Sequence, residues 1–227
     1  MFQEKLAILL PVFNEENTII EVIRNIKKTH LPCCIVNDGS TDSTNKILKW
    51  FNKVNGFTVI GYKTNRGKGY AVKYGAQELI NQGYEWILIM DSDNQNDIED
   101  ISQFQIALKN HSDAKIFLGD RLHNSQNMPR VRYYTNRCMS WIISLLAGQK
   151  IIDSQCGYRL IHKSVFNIPL KSNRFEFESE MLIKASWVNM KIINVPVKCI
   201  YEEKRKSKIN PIKDTIRFFQ MLSKLFA

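Results

Sequence analysis

Four short apolar runs that alternate with helical patterns constrain the fold of this chain more than any other feature. The runs occupy residues 6–10, 33–36, 57–62 and 86–90. After each of the first three, apolar residues recur at the spacing of an amphipathic helix. Continuous apolar runs are typical of parallel strands buried on both faces, and strands that alternate with helices build a parallel sheet. The predicted class is therefore α/β, with a mostly parallel sheet flanked by helices.

The second half of the chain continues this pattern less regularly. Its predicted strands and helices occupy residues 115–120, 130–147, 157–161, 177–187 and 192–197. No linker separates two domains, and 227 residues fit one large domain. We therefore assign residues 1–210 to a single domain and residues 211–227 to a C-terminal amphipathic helix.

The composition narrows the class of partner and the compartment. The formal net charge is +10, which favours a polyanionic partner such as nucleic acid, anionic lipid or nucleotide phosphates. The five cysteines form no Cys-x-x-Cys pair, so neither a disulfide framework nor a zinc site is indicated. No secretion signal is recognisable, and the apolar stretch over residues 139–147 is far shorter than the roughly 20 residues of a membrane span. We expect a cytoplasmic protein that can still contact a membrane surface.

Polar clusters follow three of the predicted strands, at residues 14–15, 38–40 and 91–93. In parallel α/β sheets, ligands bind beyond the carboxyl ends of the strands. The polar clusters fall at that position in the predicted sheet. The sequence therefore predicts a ligand site at this edge.

Asp91 and Asp93 are the sharpest signal for chemistry. Two carboxylates close together at a strand end repel each other unless a cation lies between them. Their oxygens suit Mg²⁺ or Mn²⁺, which take further ligands from substrate phosphates, and Gln95 can add a neutral oxygen. The alternative is that Asp93 only caps the next helix. The apolar strand directly before Asp91 favours the metal site.

Asp38 and the loop Gly67-Lys68-Gly69 also follow predicted strands. A carboxylate at position 38 can accept hydrogen bonds from a nucleotide base, although Asp-Gly-Ser is also common in ordinary turns. The glycines can let the backbone approach a nucleotide, although a solvent-facing turn would carry the same residues. Neither G-x-x-x-x-G-K-[ST] nor G-x-G-x-x-G is present. This weighs against a P-loop NTPase and against the G-x-G-x-x-G type of dinucleotide-binding protein.

Residues 121–150 contain no Asp or Glu. Four arginines lie in this segment: Arg121, Arg130, Arg132 and Arg137. Guanidinium groups suit phosphates, and residues 132 and 136 share a helix face because they are four apart. A solvated basic face is the alternative. The lack of an acidic partner nearby in the sequence favours arginines that face phosphate.

Taken together, these motifs resemble those of the family-two glycosyltransferases, which share a Rossmann-like nucleotide-sugar-binding fold called GT-A. The matching segments are P-V-F-N-E at residues 11–15, V-N-D-G-S-T-D at 36–42, N-R-G-K-G at 65–69 and D-S-D-N-Q at 91–95. The resemblance covers nearly the whole chain. It implies a single-domain GT-A fold.

Within that family the chain most resembles the polyprenyl-phosphate sugar synthases. The matching segments are G-D-R at residues 119–121, D-S-Q-C-G-Y-R at 153–159, F-E-S-E at 177–180 and K-S-K at 206–208. Two residues depart from the pattern, because Lys206 replaces a glycine and Glu178 replaces a glutamine. The Q-x-x-R-W motif of processive polysaccharide synthases is absent.

The resemblance implies a role for each candidate residue. The residues implied in donor binding are Pro11, Asn14, Glu15, Asp38, Lys68, Asp91 and Ser92. The implied ligands of Mg²⁺ or Mn²⁺ are Asp91, Asp93 and Gln95. The implied catalytic residues are Asp93, Arg121, Arg132 and Asp153, and the implied contacts of the acceptor phosphate are Asn136 and Arg137. Asp38 would hold the base, and Asp153 would shape the site or act as a base for a hydroxyl acceptor.

The implied reaction is an inverting transfer of sugar from a nucleoside-diphosphate sugar, of the GDP-mannose or UDP-glucose type, to a polyprenyl or dolichyl phosphate. The first alternative is a glycosyltransferase of the same fold that adds a sugar to a hydroxyl of a cell-surface glycan. The second is a basic nucleic-acid-binding module, but no RNP, zinc or recognition-helix motif supports it. We therefore expect no nucleic-acid partner, and a location at the cytoplasmic face of a membrane.

The C-terminal segment is basic and amphipathic. Residues 198–227 carry eight basic and three acidic side chains. Its apolar residues, most of them at helical spacing, are Ile212, Ile216, Phe219, Met221, Leu222, Leu225 and Phe226. Such a helix can lie in a bilayer interface and bring the site to a lipid acceptor. The alternatives are a helix docked on the domain's own core and an apolar stripe covered by a small membrane-spanning partner.

Overall fold

Seven strands form one sheet in the part of the chain that the computed structural model describes, namely residues 5–51, 57–124, 128–198 and 211–225. The strands are β1 (Leu6–Val12), β2 (Cys33–Asp38), β3 (Phe57–Tyr62), β4 (Trp86–Ile89), β5 (Ile116–Asp120), β6 (Arg159–His162) and β7 (Ile192–Pro196). The α-helices are α1 (Ile19–Lys27), α2 (Thr44–Phe51), α3 (Lys68–Asn81), α4 (Ile101–Asn110), α5 (Arg130–Ala147), α6 (Glu176–Trp187) and α7 (Pro211–Leu225). The strand order across the sheet is β3-β2-β1-β4-β6-β5-β7.

The predicted α/β class and the mostly parallel sheet are confirmed. The parallel pairs are β1 with β2, β1 with β4, β2 with β3, and β5 with β7. Only β6 differs among the described strands, because it runs antiparallel to both β4 and β5. The sequence pattern predicted a strand here but did not predict its direction.

The antiparallel direction of β6 brings a second group of polar residues to the predicted site. The carboxyl ends of β1, β2 and β4 lie at one edge of the sheet because these strands are parallel. β6 begins at that same edge, where Arg159 pairs with Ile89 of β4 and with Leu118 of β5. Residues 153–158 precede β6 and therefore lie near Asp91, which follows β4.

A glycine fixes how closely α3 approaches the sheet. All residues of β1 and β2 are buried. α3 crosses these strands at Gly75, where a Cβ atom would overlap the side chains of Leu9 and Val36. α3 begins at Lys68, so this close approach also determines where Lys68 enters the site.

The C-terminal helix α7 packs on the domain through part of its apolar face. Phe218 and Met221 are buried, and α7 lies against α6. Two apolar residues, Ile216 and Phe219, stay exposed. The K-S-K segment lies outside the described residues, as do half of the basic residues counted at this end and residues 226–227. None of the described helices is long and apolar enough to cross a membrane.

Replacing Gly75 with Val should lower the free energy of unfolding by about 1–3 kcal/mol, because the new methyl groups would force α3 away from the sheet. Gln77→Val is the matched control, since Gln77 is exposed on the same helix and should change stability by only about 0.5 kcal/mol. Equilibrium unfolding in urea measures both variants. Equal stability of the two would contradict the close approach at Gly75.

Candidate active site

A cavity of about 560 Å³ opens at the carboxyl ends of β1, β2 and β4. The predicted site residues that line it are Pro11, Asn14, Glu15, Asp38, Lys68, Asp91, Ser92, Asp93, Gln95, Arg121 and Arg132. Those that do not line it are Asn136, Arg137 and Asp153. Glu178 in the first turn of α6 also lines the cavity, as do Arg174 and Phe175 just before that helix, although no role was predicted for these three residues.

Asp38 holds the glycine loop that forms one wall of the cavity. One carboxylate oxygen accepts a hydrogen bond from the Arg66 backbone N–H at 2.7 Å. The other accepts from the Gly67 backbone N–H at 2.9 Å and from the Asn65 side-chain amide at 3.0 Å. Gly39, with a φ of +66°, lets the two turns meet, because a Cβ atom there would collide with the Asn65 backbone. The carboxylate that was predicted to hold a nucleotide base is thus already engaged in positioning the loop.

Lys68 places its ammonium group between two carboxylates. Its Nζ atom lies 2.5 Å from Oδ1 of Asp91 and 2.7 Å from Oε1 of Glu178. Burial alone would lower the pKa of Lys68, but the charges of Asp91 and Glu178 outweigh burial and raise that pKa. Burial would raise the pKa of Asp91, but the charge and hydrogen bond of Lys68, together with the charges of Arg121 and Arg159, outweigh burial and lower that pKa. Both groups are therefore charged near neutral pH, and the ammonium competes with any other cation for Asp91.

A buried guanidinium group fixes the other side of Glu178. Nη2 of Arg159 lies 3.5 Å from Oε2 of Glu178. The same guanidinium donates to three backbone carbonyls at 2.7, 3.1 and 2.8 Å. Gly157 leaves room for this cluster, because a Cβ atom there would overlap the Asp91 carboxylate. No role was predicted for Gly157 and Arg159. In the structure Gly157 leaves space for the Asp91 carboxylate, and Arg159 holds Glu178 in place.

Arg121 and Asp153 form a buried bidentate ion pair. Nε and Nη2 of Arg121 donate to the two carboxylate oxygens of Asp153 at 2.7 and 3.0 Å. No acidic partner was expected near Arg121 in the sequence, and the partner that the fold supplies lies 32 residues further along the chain. Asp153 is 0% exposed. It holds Arg121 at the cavity and has no surface with which to deprotonate an acceptor hydroxyl, so the predicted base role does not fit its position.

Asp93 does not cap the helix that follows it. Asp97 caps the short 3₁₀ helix Ile98–Asp100 by accepting a backbone hydrogen bond at 2.9 Å. Asp93 accepts one from the Gln95 backbone N–H at 3.2 Å, and both side chains line the cavity. Asp91 and Asp93 therefore both line the same cavity, and carboxylate oxygens are ligands that suit Mg²⁺ or Mn²⁺. Over the ranges that the structure describes, no third acidic, histidine or cysteine side chain completes a cluster that could hold a metal by itself.

Helix α5 carries the residues predicted to contact the acceptor phosphate. Arg132 lines the cavity. Asn136, one turn further along, is buried, and its amide nitrogen has no hydrogen-bond partner within the described part of the chain. Arg137 lies outside the cavity, and its guanidinium donates to the hydroxyl of Tyr133 at 3.1 Å. Asn136 thus offers an unused donor one turn from Arg132, whereas Arg137 does not reach the site.

Asp153→Asn should lower the free energy of unfolding by about 3–5 kcal/mol, because it leaves the buried guanidinium of Arg121 without its counter-charge. Asp113→Asn is the control, since it removes the exposed ion pair with Lys191 and should change stability by less than about 1 kcal/mol. Unfolding in urea measures both variants. A similar small effect at both positions would show that Asp153 does not hold Arg121 in the folded protein.

Comparison with known sequences places this site in a wider group. The sequence model of the family described as Glycosyl transferase family 2 matches residues 7–168. The chain is 30% identical over 223 residues to the UDP-N-acetylglucosamine–dolichyl-phosphate N-acetylglucosaminyltransferase of Methanococcus voltae, with 89% of this chain and 88% of the relative covered. It is 25% identical over 232 residues to the dolichyl-phosphate beta-glucosyltransferase of Drosophila melanogaster, with 91% of this chain and 70% of the relative covered.

A solved structure shares the fold. The glucosyl-3-phosphoglycerate synthase of Mycobacterium tuberculosis, in complex with Mn²⁺, UDP and glucosyl-3-phosphoglycerate, matches with a TM-score of 0.67 and 15% identity, covering 96% of this chain and 78% of that chain. This likeness confirms the predicted GT-A fold. The family match extends from β1 to the segment after β6. It therefore includes Asp91 and Asp93, Lys68 and the Arg121–Asp153 pair. On these grounds the chain belongs to glycosyl transferase family 2, and the protein is a glycosyltransferase.

Proposed function

We propose that this glycosyltransferase moves a sugar, with inversion, from a nucleoside-diphosphate sugar to a polyprenyl or dolichyl phosphate. One observation carries the proposal: the carboxylates of Asp91 and Asp93 share a cavity with Arg121 and Arg132. Carboxylates suit a cation shared with the donor diphosphate, and guanidinium groups bind phosphate oxygens directly. Two relatives are named for transfer to dolichyl phosphate, which supports the same acceptor class here.

The residues that would hold Mg²⁺ or Mn²⁺ are Asp91, Asp93 and Gln95. Two carboxylates are a sufficient protein contribution, because such ions commonly take their other ligands from water and substrate phosphates. When bound, the ion would offset negative charge on the departing diphosphate. Arg121, held in place by Asp153, and Arg132 would stabilise the same charge from the protein side.

The nucleoside of the donor would bind against the side of the cavity that the end of β1 and the glycine loop form. Pro11, Asn14 and Glu15 line the cavity there. Asp38 contributes through the loop, because its carboxylate already accepts three hydrogen bonds from it. This wall would receive the nucleoside. Whether the base is guanine or uracil follows from a donor screen.

Arg132 would receive the acceptor phosphate at the cavity, with the buried amide of Asn136 one turn behind it to help place that arginine's end of α5. A phosphate acceptor is already an anion and needs no strong base, whereas a sugar hydroxyl needs one. Asp153, the predicted base, is buried against Arg121, so the lipid phosphate suits this cavity better than a glycan hydroxyl. A lipid acceptor places the reaction at a membrane surface, and we propose its cytoplasmic face.

A donor screen tests the proposed reaction. GDP-mannose, UDP-glucose and UDP-N-acetylglucosamine are each incubated with polyprenyl phosphate in detergent and Mn²⁺. The matched acceptor control is the same polyprenol without its phosphate. We expect one donor to give a lipid-linked sugar with the phosphate only. Transfer to the free alcohol or to a glycan, and none to the phosphate, would favour the hydroxyl-acceptor alternative.

Asp93→Asn should reduce transfer on the order of 100-fold or more without unfolding the protein, because it removes one of two charged ligands of the cation. Asp97→Asn is the matched control, since Asp97 follows closely but caps a helix outside the cavity. Initial rates are measured in Mn²⁺ and in EDTA, with bound Mn²⁺ followed by electron paramagnetic resonance. Equal activity in EDTA and in Mn²⁺ would show that transfer does not depend on a divalent cation.

Lys68 and Glu178 should set the affinity for the cation in the absence of nucleotide. Lys68→Met should raise Mn²⁺ affinity by roughly 10-fold, because it removes the ammonium that competes for Asp91. Glu178→Gln should lower it by a similar factor, since Lys68 would lose its second carboxylate and stay on Asp91. The double variant should bind like Lys68→Met. Identical Mn²⁺ affinities in the unaltered protein and the three variants would contradict competition between Lys68 and Mn²⁺ for Asp91.

A further inference from the structure

Helix α5 carries an exposed apolar stripe that nothing in the described chain covers. The stripe consists of Val131, Tyr134, Cys138, Trp141 and Leu145, which alternate at three- and four-residue steps along one face. The exposed fractions of Val131, Tyr134, Trp141 and Leu145 are 82, 68, 63 and 63%. The opposite face of α5 is buried through Asn136, Ser140, Ile143 and Ala147. The helix is therefore anchored to the domain by one face and offers the other to a partner.

Basic residues border the stripe on one side. A helix turns about 100° per residue, so Arg130 and Arg137 fall on the same border, next to Trp141. Both arginines are exposed. Residues 121–150 contain no Asp or Glu, so no acidic side chain of this segment offsets them. An apolar stripe with a cationic border complements an anionic surface that has an apolar interior.

The stripe on α5 is more exposed than the apolar face of α7. In α7, Phe218 and Met221 are buried against the domain, and Leu222 is partly buried there. The exposed apolar residues of α7 among those whose side chains are described are Ile216 and Phe219. The helix that the sequence suggested for a membrane contact therefore already uses much of its apolar face within the protein.

We propose that the α5 stripe is the surface by which this protein docks on an anionic bilayer. The inference rests on the lipid-phosphate acceptor proposed above. Trp and Tyr suit the boundary between headgroups and acyl chains, and arginines are drawn to anionic lipid. α5 has 18 residues and is therefore about 27 Å long, enough to lie along the surface over its whole stripe. Arg132 lies on the same helix and lines the cavity, so docking through the stripe brings the cavity beside the headgroups.

A second copy of the chain suits the stripe less well. Antiparallel pairing of two α5 helices through the stripe would centre the two-fold axis near Cys138. It would bring Arg137 of both copies close to that axis, with no acidic residue on either helix to pair with it. Like charges close together destabilise such a pairing, whereas an anionic surface stabilises the same charges.

Sedimentation with vesicles tests the docking surface. The full chain is mixed with vesicles of phosphatidylcholine and phosphatidylserine or of phosphatidylcholine alone. The variant Trp141→Ser/Leu145→Ser should bind mixed vesicles roughly 10- to 100-fold more weakly, because it removes two large apolar contacts. The variant Arg130→Gln/Arg137→Gln should lose about 10-fold on mixed vesicles and little on neutral ones. Ile216→Ser/Phe219→Ser, the matched change on α7, should bind nearly as the unaltered protein does.

Three results would each contradict the proposal that the α5 stripe docks on a bilayer. The first is unchanged binding by the α5 variant, and the second is a greater loss in the α7 variant. The third is a dimer in gel filtration that only the α5 substitutions dissociate, with no vesicle binding by the unaltered protein. Transfer to a short, water-soluble acceptor phosphate separates the two proposals, because Trp141 and Leu145 lie outside the cavity and should not affect it. If that transfer fails in every protein while vesicle binding follows the expected pattern, the proposed function is wrong and the docking surface stands.

Discussion

The site depends first on the ammonium of Lys68, which lies between the carboxylates of Asp91 and Glu178. Without a cation at this point, Asp91, Asp93 and Glu178 would face one another across a partly buried cavity. Lys68 also ties three elements together, because it begins α3 while its two partners come from the end of β4 and from α6. The protein therefore keeps Asp91, one of the two carboxylates proposed to bind a cation, charged before any ligand arrives.

The local chemistry of this site could be predicted, whereas its long-range pairs could not. The clusters at residues 14–15, 38–40 and 91–93 were predicted to lie at one edge because parallel strands carry their carboxyl ends to the same side of a sheet. Nothing local shows that β6 runs antiparallel, so the pairing of Arg121 with Asp153 had no signal in the sequence. The carboxylate of Glu178, in place of a glutamine, was a usable clue, because a buried carboxylate beside an Asp cluster needs a cation.

The helices illustrate a second limit of sequence patterns. Apolar residues at helical spacing look the same whether they pack on protein or face a bilayer, since both environments exclude water. The pattern predicted α5 with its observed bounds. It also predicted the start of α7 at Pro211, and the described helix extends to Leu225. It could not show that Met221 is buried while Trp141 is exposed. That distinction depends on which face of each helix α6 covers, which is a property of the assembled fold.

The placement of β6 between β4 and β5 has a consequence for how the protein is made. A ribosome releases Lys68 and Arg121 before Glu178 and Asp153, which pair with them in the second half of the chain. Until β6 and α6 dock, Arg121 lacks Asp153 and Lys68 has only one carboxylate. The ion pairs of the cavity can therefore form only after β6 and α6 dock, so a nascent chain that exposes only the D-x-D segment does not yet have the ordered cavity of the folded protein.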